Sequence, residues 1–288
     1  MKATAECFAC VIAQAERNLA ELKLNEEEKF NVMKSAVHSL EKAYHGMKPI
    51  ELSKLTNDAV KSATGVLDPY ALRKSILDEK AIEILPEIIR YVRTAVNPLK
   101  AFAIVAILGN HLDFGVNNVS IDDEFMTLVK SKKLAIDNFD DLEALLTKSK
   151  LMLYILDNTG EAVFDKIFID EIKDRYNLKI KVAVRSAPII NDMTKKEAIE
   201  IGFSEKDIID SGSTMAGMTL KVANEMFMNL WKEADIIISK GQGNFEGLDE
   251  IKDDRLFFLL ESKCPVISKI LGVNLGDIVM KRNILNSL

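Results

Sequence analysis

Apolar positions along the 288-residue chain follow two different rhythms. Up to about residue 148 they recur at helical spacing, and no stretch reads as a strand. Cys7 to Leu22 reads as one amphipathic helix and Glu26 to Tyr44 as another, with Phe30, Met33, Val37 and Leu40 expected on one face. Pro69 after Asp68 marks a helix start, because proline suits a first turn and Asp caps it. Pro86 and Pro98 punctuate the helical stretch beyond it. Leu99 to Leu108 is almost wholly apolar and predicts a buried helix ending at Gly109-Asn110. Asp140 to Thr147 predicts a further short helix.

Beyond residue 150 the period changes. Leu151 to Leu156, Lys179 to Val184, Ile208-Ile209 and Asp235 to Ser239 read as strands, with Leu256 to Leu260 and Ile278 to Met280 as further candidates. Helices are expected over Glu161 to Tyr176, over Thr219 to Glu233 and from about Pro265. Apolar strands alternating with helices imply an α/β class fold with a mostly parallel sheet covered on both faces. The expected organisation is an N-terminal all-helical domain over 1–98 and an α/β domain over 99–288, with the sheet proper from about 150.

Composition narrows the function classes. Hydrophobic residues make up 48% of the chain, enough for a sizeable core. No run of about 18 apolar residues occurs, so no membrane span is expected. The N-terminus lacks the basic-then-apolar layout of a signal peptide, since Glu6 interrupts it. Three cysteines, an odd count, argue against a disulfide framework and for a reducing, cytoplasmic compartment. The net charge is −6 and no dense basic tract appears, which disfavours nucleic acid as a partner. The helical faces allow either a monomer or a homodimer.

Ligands of open α/β sheets bind at the carboxyl ends of the strands. There the chain offers Asp157-Asn158, then Arg185-Ser186 with Asn191-Asp192, then Asp210 to Ser213, and finally Lys240-Gly241-Gln242-Gly243-Asn244. Two carboxylates and an amide oxygen suit a hard divalent cation such as Mg²⁺ or Mn²⁺. A lysine and an arginine suit a phosphoryl group, and Gly-X-Gly lets backbone N–H groups approach its oxygens. Each piece has a plainer reading. Asp157-Asn158 and Asn191-Asp192 also serve as turns or helix caps, Gly-Gln-Gly as a simple loop, and Lys240 as a solvated charge. Convergence of four loops on one sheet edge favours metal-assisted phosphoryl chemistry. A serine hydrolase is disfavoured, since Ser211 and Ser213 lack a Gly-X-Ser-X-Gly elbow and no histidine follows in the sheet region. The P-loop motif and the dinucleotide fingerprint are likewise missing.

These motifs, together with Cys7-Phe-Ala-Cys10 and Gly109-Asn110 with Asp113 beyond, resemble the DUF89 family of metal-dependent damage-control phosphatases, in its prokaryotic-type branch with an N-terminal Cys-X-X-Cys. The resemblance implies a Rossmann-like core behind a helical N-terminal part. It implies a divalent metal held by Asp157, Asn158 and Asp192, with Mn²⁺, Co²⁺ or Ni²⁺ favoured. It places Lys240 and the glycine loop (Gly241, Gly243, Asn244) on substrate phosphate beside Arg185 and Ser186. Asn110, Asp113 and Glu161 would line the site. The implied reaction is hydrolysis of sugar phosphates or damaged phosphorylated metabolites, with metal-activated water as the expected attacking species.

Cys7 and Cys10 lie three apart on a helix, and Cys264 is remote. They are small buried side chains on the plain reading, and a second metal or redox site on the reading the family favours. His38, His45 and His111 are too scattered for a zinc-hydrolase motif; His38 and His45 read as structural, while His111 adjoins Asn110 at the expected pocket edge. Two other function classes remain: a module that senses a phosphorylated metabolite without turnover, and a carboxyl methyltransferase, for which no glycine-rich cofactor loop follows the first strand.

Overall fold

A computed structural model describes residues 1–112 and 121–284. The amino-terminal part is helical: α1 (Ala5–Ala20), α2 (Glu26–Ser39), α3 (Pro49–Thr64) and the long α4 (Ala71–Val92). Asn25 caps α2 by accepting the Glu28 N–H at 3.0 Å, while the Glu28 carboxylate returns to the Asn25 N–H at 2.8 Å. Helices α1 to α3 pack through Ala15, Leu19, Val32, Ala36 and Val60. The inward face of α2 differs from the expected one: Phe30 and Val37 are exposed, and Val32 and Ala36 are buried. The apolar stripe is ambiguous by one residue, and short side chains win where helices approach closely. Pro86 does not end a helix but lies inside α4, on its exposed side, where a missing intrahelical N–H costs least.

After α5 (Pro98–Leu108) and α6 (Ile121–Ser131) comes an unexpected strand, β1 (Leu134–Asp137), then α7 (Phe139–Leu146). β1 escapes notice because it is a four-residue edge strand with half-buried and exposed positions alternating. The rest alternates as the apolar runs predict: β2 (Leu151–Ile155), α8 (Glu161–Arg175), β3 (Lys179–Val184), α9 (Lys195–Glu200) and β4 (Ile208–Asp210). Then follow α10 (Glu225–Glu233), β5 (Ile236–Lys240), α11 (Gly241–Leu248), β6 (Leu256–Glu261), α12 (Pro265–Leu271) and β7 (Ile278–Arg282). Residues 219–224, expected to be helical, are turn and extended; α10 starts only after Asn224, whose side chain accepts the Phe227 N–H at 2.9 Å.

The seven strands are ordered β1-β7-β6-β5-β2-β3-β4, and every pairing is parallel except β6 with β7. Alternate strand residues feed two cores. Met152, Tyr154, Val182, Ile238 and Phe257 face α5, α8 and the buried side of α4, including Ala81, Ile84, Ile88 and Val92. Leu153, Ile155, Ile237 and Phe258 face α10, α11 and α12. Burial on both faces explains why these strands read as unbroken apolar runs. No described helix is long and apolar enough to cross a membrane.

Helix α11 lies so close to the segment before α10 that a Cβ on Gly247 would stand 1.9 Å from the Met218 carbonyl oxygen. Helix propensity alone would make Gly247→Ala stabilising by about 1 kcal/mol. The overlap outweighs it, and the expected outcome is a loss of about 1–3 kcal/mol, read from the urea midpoint. A raised midpoint would contradict this close approach.

Candidate active site

The chain runs outward from β2 through β3 to β4, then returns to place β5 on the other side of β2. The reversal opens a crevice at the carboxyl ends of β2 and β5, because the helices that follow them, α8 and α11, cover opposite faces. Ile155 is in register with both Ala183 and Ser239. That register brings Asp157, Arg185 and Lys240 to one edge.

Arg185 is 1% exposed and lies between two carboxylates. Its Nε donates to Asp192 Oδ2 at 2.7 Å and its Nη2 to Asp157 Oδ1 at 3.3 Å. Asn158 donates to Asp157 Oδ2 at 2.9 Å, and Asn158 and Asp192 meet as an antiparallel bridge between their loops. The loop after β3 is further fixed by Met193 N–H to the Asp157 carbonyl and Arg185 N–H to the Met193 carbonyl, both 2.8 Å. Burial, then the neighbouring Asp192 and Glu161, hold the Asp157 carboxyl well above the usual carboxylate range. Burial raises Asp192 too, against the pull of Arg185.

Lys240, at the end of β5, is fully buried rather than solvated. Its ammonium pairs with Glu161, lies 2.8 Å from Asp165 Oδ1, and donates to the Ala106 carbonyl of α5 at 2.8 Å. Tyr154 donates to Asp165 at 2.6 Å. Desolvation would lower the Lys240 ammonium, but Asp165 and Glu161 outweigh it and leave it raised; burial also pushes Asp165 up to about 7 despite Lys240. The Gly-Gln-Gly segment is the first turn of α11 and not a loop. Gly241 has φ +75°, and a Cβ there would strike the Asp157 carboxylate at 1.9 Å; one on Gly243 would strike the Ala216 carbonyl at 2.2 Å. Glycine is needed at both because protein neighbours already fill those spaces. Asn244 is buried, and its amide donates to the carbonyls of Leu156 and Lys240, tying the ends of β2 and β5 together.

Asp157, Asn158, Asp192, Arg185, Glu161, Lys240, Gly241 and Asn244 thus meet in one cluster. Ser186 is exposed, and its hydroxyl donates to Asp210. Asp113 and the Asn110 side chain lie outside the described residues. His111 Nε2 stands 2.7 Å from Glu261 Oε2 at the end of β6, and His38 pairs with Glu41 on the surface. Among the described residues no three Cys, His, Asp or Glu side chains stand in metal-holding geometry. Oxygen ligands here would be Asp157 and Asp192 with the Asn158 amide.

Helix α4 supplies groups that sequence reading missed. Asp78 accepts the Gly160 N–H at 2.6 Å, one residue before α8 and two after Asn158. Lys74, one turn earlier, is buried between Asp68 at 3.0 Å and Glu197 at 3.4 Å. Glu197 receives the Thr194 N–H at 3.1 Å, two residues from Asp192. One helix therefore braces both loops of the cluster. Asp165, on the inward side of α8, was the one missed group with a local signal, lying four residues after Glu161.

A family profile described as the damage-control phosphatase ARMT1-like domain matches residues 3–279. The chain belongs to this family. A relative named damage-control phosphatase PH1575, from Pyrococcus horikoshii, is 32% identical over 98% of this chain and 99% of its own. Another protein named damage-control phosphatase, from Archaeoglobus fulgidus, is 33% identical over 75% of this chain and 76% of its own. The crystal structure of the DUF89 family protein PH1575 superposes with a TM-score of 0.90, covering 98% and 99% of the two chains. The α/β architecture with its mostly parallel sheet is that of this family.

Burial raises the Asp78 carboxyl to about 6, against the opposing pull of the Gly160 N–H. A carboxyl raised in the folded state contributes stability that is full below its unfolded pKa of about 3.9 and lost as pH rises through about 6. Asn keeps an oxygen for Gly160 and carries no charge. Asp78→Asn is therefore expected to exceed wild type in urea stability at about pH 7.5 by on the order of 1–3 kcal/mol, with the gap closing near pH 4. A gap of constant size across this range would remove Asp78 from that role.

Proposed function

We propose that this protein is a metal-dependent phosphatase hydrolysing small phosphorylated metabolites, of the sugar-phosphate or damaged-metabolite class. The observation carrying this reading is a charge imbalance at the switch point. Asp157, Asp192, Glu161 and Asp165 are four buried carboxylates, and among the described residues the cations paired with them are Arg185 and Lys240, while the buried Lys74 nearby is paired with Asp68 and Glu197. Ionisation of all four leaves two negative charges, which a divalent cation balances and which otherwise hold protons. The all-oxygen donor set suits Mg²⁺, Mn²⁺, Co²⁺ or Ni²⁺, with Asp157, Asn158 and Asp192 as the ligands. When bound, such an ion polarises a phosphoryl oxygen and acidifies water.

The remaining roles fall to the chain's own groups. Arg185 Nη1, Glu161 Oε2 and Asn244 Oδ1 are buried with no hydrogen-bond partner among the described residues. Arg185 is the donor suited to a phosphoryl oxygen. Lys240, held by two carboxylates and a carbonyl, orients Glu161 and offsets charge. The first N–H groups of α11 extend the electropositive edge. The relatives named damage-control phosphatases support the activity, and the Cys7-Phe-Ala-Cys10 segment supports the prokaryotic-type branch. The odd count of three cysteines supports a reducing, cytoplasmic setting.

The test is p-nitrophenyl phosphate hydrolysis by chelator-stripped protein, adding back Mg²⁺, Mn²⁺, Co²⁺ and Ni²⁺ singly. Turnover is expected to return with metal, and Asp157→Asn to lower kcat by at least about 100-fold while remaining folded by circular dichroism. Metal binding by calorimetry without turnover on this ester or a sugar-phosphate panel would replace the hydrolase with a sensing module.

A further inference from the structure

The three cysteines come from opposite ends of the chain and line a single cavity of about 620 Å³. Its walls are the first three turns of α1 and the amino-terminal parts of α3, α11 and α12, with Ile190 and Ala216 from loops. None of Asp157, Asn158, Asp192 or Lys240 lines it, and it borders the cluster described above only through the start of α11, at Gln242 and Gly243. Its size is within the range of small-molecule sites, roughly 300–1,000 Å³.

Cys7 is the third residue of α1, and Cys10 lies three residues on, toward the same cavity. The Cys7 sulfur accepts the Thr4 N–H at 3.4 Å and stands 3.6 Å from the Thr4 hydroxyl. Cys264 precedes α12, and its sulfur accepts from the Gln242 amide at 3.7 Å. Two chemistries bring thiols together: a soft metal and a disulfide. A structural metal needs about four ligands. A disulfide needs two thiols only.

Residues three apart on a helix have Cβ atoms about 5–6 Å apart, and a disulfide requires about 3.5–4.5 Å. The difference is small. Cys7 belongs to the first turn of α1, where its N–H makes the tighter three-residue bond to the Thr4 carbonyl at 3.1 Å, and Cys10 belongs to the second. Closure tightens the backbone between the first and second turns, directly after the N–H groups that have no intrahelical partner. Cys264 is held by Gln242 on another wall and is not needed for closure.

We infer that Cys7 and Cys10 form a reversible thiol–disulfide couple that exchanges with low-molecular-weight disulfides entering the cavity. One cysteine releases its proton, and the thiolate attacks a sulfur of the small disulfide. A mixed disulfide forms, and the first small thiolate departs and takes up a proton. The second cysteine, deprotonated, attacks the protein sulfur of that mixed disulfide, closing Cys7–Cys10 and expelling the second small thiol. Two protein thiols are oxidised, and one small disulfide is reduced to two thiols. This inference does not depend on the phosphatase reading.

The experiment equilibrates the full chain with oxidised glutathione and reads intact mass, with peptide mapping of the wild type after alkylation. Wild type and Cys264→Ser are expected to lose two hydrogens, reversed by dithiothreitol, with the Cys7–Cys10 peptide carrying the bridge. Cys7→Ser and Cys10→Ser are expected to stop at one added glutathione. Three free thiols at a tenfold excess of oxidant, or a bridge mapped to Cys264, would overturn the assignment. Mapping on wild type keeps the test valid if a serine variant folds poorly.

Discussion

Asp157 and Asp192 share one guanidinium, and that buried pairing joins two loops separated by an entire helix and strand. Removing an unpaired charge from water is costly, so each carboxylate needs a partner delivered from elsewhere in the fold. Arg185 serves both because the parallel register of β2 and β3 sets it two residues beyond Ala183, opposite Asp157. The same constraint operates at Lys240, whose ammonium is held by Glu161 and Asp165 of α8 and a carbonyl of α5. The cluster is thus a set of groups that would not be stable singly.

Around this centre the structure concentrates its close approaches. Gly241 and Gly243 leave room for a carboxylate and a carbonyl, and Asn244 cross-links the ends of β2 and β5. A site assembled this way has little freedom to relax, which suits chemistry that depends on preorganised charge. The brace from α4 matters for the same reason. Asp78 and Lys74 reach the loops after β2 and β3 from a helix whose other face packs into the sheet's core. The helical N-terminal segment is therefore more than a cover.

Much of this was legible in the chain. The strands β2 to β7 stand out as apolar runs because both sheet faces are covered, and Asp157, Asn158, Asp192, Arg185 and Lys240 are recognisable as polar residues stopping those runs. β1 was not legible, since an edge strand of four residues carries no continuous apolar signal. The buried side of α2 differs by one residue from the expected one, because Phe30 and Val37 give a stripe as regular as Val32 and Ala36. Nothing local distinguishes Asp78 and Lys74 from the other charged residues of α4.

By itself, then, the sequence determined the class of fold, the succession of β2 to β7 along the chain, and the residue types offered at their ends, because these follow from local periodicity and from where apolar runs stop. Only the tertiary structure decided which of those residues meet. Strand order places β5 beside β2, turns Lys240 inward to Glu161 and Asp165, and converts a glycine loop into the start of a helix. It also gathers Cys7, Cys10 and Cys264 on one cavity. The physical reason is that pairing buried charges and filling space are long-range conditions, satisfied by partners that no local pattern in the chain names.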